Sequence, residues 1–298
     1  MPSARLSPKE VAAVADIEDF DLDETTRQAW IEFTDRLTEV LSVMDTSADL
    51  TISVAGEEHP EDAPSIRFSA TPDKMILARL SHVESSRLEA IGWESDEHGW
   101  VARRGEEQLQ ELAELTTATM ADIVGVLHPI FLEPDQLAEV LTPREGGSTP
   151  PAPGQYGIVM PANQAQLDAV VDEELGRLFG RPALRNAQGD VAIRVGSTVV
   201  FCRSTPDIRE LVLFAALVHD VNGRSRACEV LNDLNVQFRY CRFALHQDRV
   251  FVQVSVPAQP FVPAHLHQAL ESISHVADGI DNELAQKLGG HTTYPTAG

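Results

Sequence analysis

In FAALVHDVNG, Phe214 to Gly223, a histidine stands beside an aspartate behind a small apolar run and before a glycine. This is the arrangement of the metal-binding pair in the HD-domain phosphohydrolases, and it defines an alternative function for the chain. That function is a metal-dependent, HD-type small-molecule hydrolase using His219 and Asp220. Such a site is built on an all-helical fold and needs a further histidine on a helix some tens of residues upstream. No histidine lies between His128 and His219. The residues before His219 alternate as a strand does, and an Asn-Gly turn follows. His219 and Asp220 therefore read as the polar end of a strand.

Other sets that suggest chemistry also fall short of it. Cys202, Cys228, Cys241 and His246 lack the short-spaced ligand pairs of structural zinc sites. They read as small apolar residues and a polar neighbour. His267, Glu271 and His275 recur every four residues on a predicted helix, but they flank its apolar stripe. DIEDFDLDE, residues 16–24, is rich in carboxylates yet lacks the glycine of the sharp calcium-loop turn. No nucleophile elbow, phosphate-binding loop or dinucleotide fingerprint occurs. Trp30, Trp93 and Trp100 read as core. The expectation is a non-enzymatic protein with no cofactor and no metal.

Composition excludes further classes. The 298 residues carry 46 acids against 23 bases, so a basic footprint for nucleic acid or anionic lipid is missing. No run approaches the ~20 apolar residues of a membrane span. The first residues lack a signal-peptide core, and three cysteines without a CxxC pair suit a reducing compartment. A cytoplasmic protein is expected. Three lysines among the 23 basic residues suggest GC-rich bacterial coding.

The elements that hold these residues fall into two units. Residues 1–24 read as an acidic, disordered leader. Residues 25–141 form a first α+β domain: a helix at 26–44, strands at 50–54, 66–70 and 75–80, and a short helix stopping at Gly92. A strand and a helix at 107–126 complete it. Residues 142–160, Pro/Gly-rich from Thr142 to Gly157, form a linker. Residues 161–289 repeat the plan. A helix spans 164–179, and two strands join at Gly196-Ser197. Strands at 208–218, 236–245 and 250–256, a helix at 225–235 and a last helix at 264–288 follow. Residues 290–298 form a flexible tail. Consecutive strands with short turns predict antiparallel sheets with helices on one side, two α+β domains in tandem.

One strand breaks the expected pattern. A sheet covered on one side should alternate apolar with polar. In IRELVLFAALVHDV, Leu211, Leu213, Ala215 and Leu217 face one way, and Val212, Phe214, Ala216 and Val218 face the other. Both faces are apolar, so the second needs a cover. The cover is a helix, the other domain, a second subunit or a bound chain. The expected occupant is a client segment or a second copy, meeting Val212, Phe214, Val218 and Phe251.

ACEVLNDLNVQFRYCRFAL followed by RVFVQVSVP resembles the YbjN-like domain, which is similar in fold to the type III secretion chaperones of the CesT class. IGW at Ile91–Trp93 and VLHPIFL at Val126–Leu132 resemble the N-terminal domain of the actinobacterial two-domain proteins grouped as TY-Chap. The resemblance spans roughly residues 26–288. It implies a chaperone-like protein that binds a client protein or peptide and self-associates, as a dimer. Asn232 and Asn235, in the LNDLN motif, have a structural reading as helix-end residues. Direct contact with a client is the second reading.

Overall fold

The computed structural model describes residues 20–46, 48–55, 62–135, 157–180, 182–186, 188–196 and 198–294. They form two compact units, Asp23–Ser148 and a second that joins Met1–Leu22 to Thr149–Gly298. Each is an antiparallel sheet with helices on one side.

The first unit contains α1 (Leu22–Val43), β1 (Asp49–Val54), β2 (Ser65–Ala70), β3 (Met75–Ser81), α2 (Leu88–Ile91), β4 (Glu94–Asp96), β5 (Gly99–Gly105), α3 (Leu109–Ala118) and β6 (Leu132–Pro134). The sheet order is β4-β5-β3-β2-β1-β6. Leu50, Ile52, Ile66, Phe68, Ile76, Ala78 and Leu80 share one face and pack with Leu37, Leu41 and Leu112. α2 stops at Gly92, whose φ of 117° is a conformation that side-chain-bearing residues avoid. The single helix expected over 107–126 is instead a 3-10 turn, α3 and a π-helical turn, Thr119–Val124. The Thr116 and Thr119 hydroxyls bond back to the carbonyls of Leu112 and Leu115 there, and Trp93 Nε1 donates to Thr119 Oγ1 at 2.8 Å. Such back-bonding loosens the helical ladder. Trp93 is fully buried, and Trp30 and Trp100 pack against the same core.

The second unit contains α4 (Gln164–Phe179), β7 (Val191–Val195), β8 (Thr198–Ser204), β9 (Glu210–His219), α5 (Arg224–Gln237), β10 (Arg242–His246), β11 (Arg249–Pro257), α6 (Pro263–Leu288) and β12 (His291–Thr292). The sheet order is β10-β11-β9-β8-β7, with β12 pairing to β9. α4 has the expected bounds because Asn163 and Gln166 cap it reciprocally. The Asn163 side chain accepts from Gln166 N, and the Gln166 side chain accepts from Ala162 N.

Four segments differ from expectation. The strand expected from 236 begins only at Arg242, because α5 runs on to Gln237. The tail expected at 290–298 is in part a strand, since His291 and Thr292 pair with His219 and Val218. Gly290 permits this approach: a Cβ there would lie 2.5 Å from the His219 carbonyl oxygen. The expected linker lies outside the described residues up to 156, but Val159 already exchanges two backbone hydrogen bonds with Phe261. The expected leader lies outside them up to residue 19, yet Phe20 and Leu22 are buried and α1 starts at Leu22.

Candidate functional site

The apolar strand β9 is the centre of the second sheet, and register assigns its two faces. Residues paired across strands point the same way. Leu211, Leu213 and Ala215 pair with Val256, Val254 and Val252. All six lie in the core that contains Leu167, Leu175, Leu231, Leu266 and Ile273 of the helices. Val212, Phe214 and Ala216 pair with Ser255, Gln253 and Phe251 on the opposite face, where Phe214 also pairs with Phe201.

Val218 departs from this set. Phe251 pairs with Ala216 while Val250 pairs with Val218, so Leu217 is an extra residue in β9. A bulge of this kind shifts the alternation by one. Val218 and its partner Val250 therefore join the helix-side core. Sequence alternation alone put Val218 on the wrong face.

The opposite face is buried within the single chain: Val212 is 2 % exposed, Phe214 0 % and Phe251 1 %. The cover includes Phe20. Its ring centroid lies 4.9 Å from Phe201, 4.7 Å from Phe214 and 6.4 Å from Phe251, in tilted or edge-on geometry. Phe201 and Phe214 stack at 5.7 Å. The guanidinium of Arg203 lies 6.0 Å from the Phe20 ring centre and 5.7 Å from that of Phe214. A cation over an aromatic face is favourable, more so when partly desolvated.

Arg203 is held in place from below. It forms a two-pronged ion pair with the buried Asp190, with Nη2 to Oδ2 at 2.9 Å. Asn186 donates to Asp190 Oδ2 at 3.2 Å and accepts from Asp190 N at 2.8 Å. The planar fork of arginine suits this bidentate contact. Around the apolar centre, the register also places Arg194, Arg242, Arg249 and His246 on this face. Glu210 is a carboxylate on the same side.

The two asparagines separate. The Asn235 amide accepts from Phe243 N at 2.7 Å and donates to Phe243 O at 3.1 Å. It thus satisfies the outward backbone groups of Phe243 on β10, the edge strand. Asn232 is exposed on α5.

The residues that suggested metal chemistry are placed apart. His219 Nδ1 lies 2.9 Å from Asp220 Oδ2, at the end of a sheet strand, and Asp220 takes a left-handed φ of 57°. His267 Nε2 lies 2.5 Å from Glu174 Oε1, a buried carboxylate that also accepts from Arg177. Among the described residues, no group of three His, Cys, Asp or Glu side chains is arranged to hold a metal ion. Burial pushes the Cys202 thiol up to about 12, and the Cys241 thiol is also raised by burial. Such thiols are poor nucleophiles. No helix among the described residues is long and apolar enough to cross a membrane.

Sequence reasoning missed Phe20, Phe201 and Arg203. The usable signal was the alternation of Phe20 and Leu22 with aspartates, which is unlike a purely solvated acidic run.

Two family models match the chain. Residues 23–138 match TY-Chap3, described as T3SS (YopN, CesT) and YbjN peptide-binding chaperone 3. Residues 165–296 match TY-Chap1, the corresponding chaperone 1. No curated protein matches. Similar solved structures include a HopA1-SchA chaperone-effector complex, at 12 % identity and TM-score 0.34, covering 41 % of this chain and 99 % of the other. An ExsC-ExsE complex is 16 % identical at TM-score 0.34, covering 45 % and 97 %. The Yersinia pestis type III secretion chaperone SycH, in complex with a fragment of YscM2, is 18 % identical at TM-score 0.31, covering 37 % and 97 %.

Proposed function

We propose, from the premise that the chain belongs to the T3SS (YopN, CesT) and YbjN peptide-binding chaperone family, that it holds an extended client segment on the second face of the C-terminal sheet. Val212, Phe214 and Phe251 form the apolar floor of that site, with Phe201 beside them. The protein acts without catalysis, in the cytoplasm. The observation that carries this reading is the face itself. A sheet with helices on one side has no need of three phenylalanines on the other, and here an aromatic side chain from a distant segment is seated on them. Fully burying one such side chain contributes ~1.5 to 3 kcal/mol. A short client segment with one or two apolar anchors gains enough there to bind reversibly. Val218 belongs to the core and is no part of this site, and Asn235 supports the edge strand.

The test is to pan a phage-displayed library of extended peptides on the full chain. Enriched peptides are then titrated against the wild type and Ser255→Glu. Ser255 is exposed on the same face as Val212, so the charge leaves the fold intact and spoils the floor. The expected result is apolar-anchored peptides whose binding falls at least tenfold in the variant at an unchanged melting temperature. Failure to enrich any peptide, or binding indifferent to Ser255→Glu, sinks the reading. Light scattering of the same samples reads the homodimer that the family resemblance implies.

A further inference from the structure

The client reading names a surface but leaves open what chemistry that surface selects, and the following inference rests on that reading. We infer that the Phe201–Phe214–Phe251 face receives an acidic segment centred on one aromatic residue, and that Phe20, just ahead of α1, is its resident occupant.

The geometry supports this first. Phe20 touches three rings that belong to three different strands, β8, β9 and β11. It is only 7 % exposed, although it lies in a run where six of nine residues, 16–24, are carboxylates. A segment of that composition has little apolar surface to bury. Its one aromatic is held because the receiving surface matches it.

Charge points the same way. Arg203, fixed by Asp190, stands over the Phe20 ring. Arg194, Arg242, Arg249 and His246 share the face, against Glu210 and the already paired Asp190. The face is thus an apolar centre with a basic surround in a chain of net charge −23. An aromatic flanked by carboxylates is complementary to it in both respects, whereas a basic or purely aliphatic segment matches only the floor.

Covalent attachment gives the Phe20 segment a large effective concentration at the face. A client must therefore either carry the same chemistry in a stronger form or arrive when the resident segment is displaced. The Phe20 segment acts as a built-in competitor that sets the threshold for client binding.

The experiment uses the full chain and a fluorescein-labelled peptide of residues 14–27, VADIEDFDLDETTR. The expected result is that Phe20→Ala binds this peptide at least tenfold more tightly than the wild type does, and that the peptide raises the melting temperature of Phe20→Ala only. A peptide with alanine at the Phe20 position should bind neither chain. A peptide with every carboxylate replaced by its amide should bind about tenfold more weakly at low salt, a gap that narrows in 0.5 M salt. Phe20→Leu, which keeps an apolar side chain at the site, serves as the second variant if Phe20→Ala does not fold. It should bind more tightly than the wild type as well. Equal affinity of variant and wild type, or an amide peptide that binds as tightly as the acidic one, overturns the inference. If the phage-selected peptides bind Phe20→Ala while the acidic peptide does not, the inference falls and the client reading stands. If neither binds, the client reading falls with it.

Discussion

The two sheets share a plan and differ in one face. In the first unit, β3 alternates buried with half-buried residues along its whole length, Met75–Ser81. The outer face of that sheet carries Arg67, Ser69, Arg79 and Arg103 interleaved with the apolar Met75, Leu77 and Val101. Arg79 there forms a bidentate pair with Asp96, both bonds at 3.1 Å. That pairing holds the Asp96 carboxyl below its usual range. Eight consecutive residues of β9 in the second unit, Leu211–Val218, are buried instead. A face that mixes charged with apolar residues rests stably in water, and a wholly apolar one requires a cover. The plan of the fold is common to both units, and the second face is where they differ; the proposed client site rests on that difference.

The largest expected effect tests that difference directly. Phe214→Lys places a charge on a fully buried floor and should cost about 4 kcal/mol or more, enough to unfold the second unit. Ser69→Lys, at a matching outer-face position of the first unit and opposite Asp49, should change stability by less than about 0.5 kcal/mol. Urea unfolding followed by circular dichroism reads both. Similar costs for the two substitutions would erase the comparison.

A smaller effect separates the units by pH. His128 is buried at the start of a 3-10 turn, where its Nδ1 accepts from Ile130 N. Burial lowers its pKa from 6.5 to about 4. Between these values the unfolded chain binds a proton that the folded chain refuses. The contribution is intact above about 6.5 and is lost as pH falls toward 4, by on the order of 3 kcal/mol. All three tryptophans, Trp30, Trp93 and Trp100, lie in the first unit, so their fluorescence reports its unfolding alone. The unfolding midpoint should drop across this window, and His128→Gln should flatten the slope. An unchanged slope in that variant would assign the acid sensitivity elsewhere.

The smallest effect concerns the exposed edge of the second sheet. Asn235→Ala removes both bonds to Phe243 and should cost about 1 to 2 kcal/mol. Hydrogen exchange at the Phe243 amide should rise while the centre of β9 stays protected. Uniform loss of protection would show that the asparagine holds the whole unit together, beyond closing its edge.

Local chemistry made much of the fold readable. α4 was legible to its last residue because its cap, its periodicity and its terminal glycine agree. The hairpin of β7 and β8 and the alternation of β11 were legible for the same kind of reason. The need to cover β9 also followed from residue types and spacing. The fate of 236–241 was not legible, because Asn235 bonds a backbone group eight residues ahead, and that bond exists only once the strand has docked.

The sequence by itself determined that β9 is apolar on both sides, since alternation is a property of neighbouring residues. Only the tertiary structure decided which residues form each side. One extra residue in β9 opposite β11 turned Val218 toward the helices, and such a bulge depends on pairing with a distant strand. Only the tertiary structure placed Phe20 on the open face. Within its own stretch Phe20 is an isolated aromatic among carboxylates. It has a place to go because three phenylalanines and an arginine from far along the chain come together there.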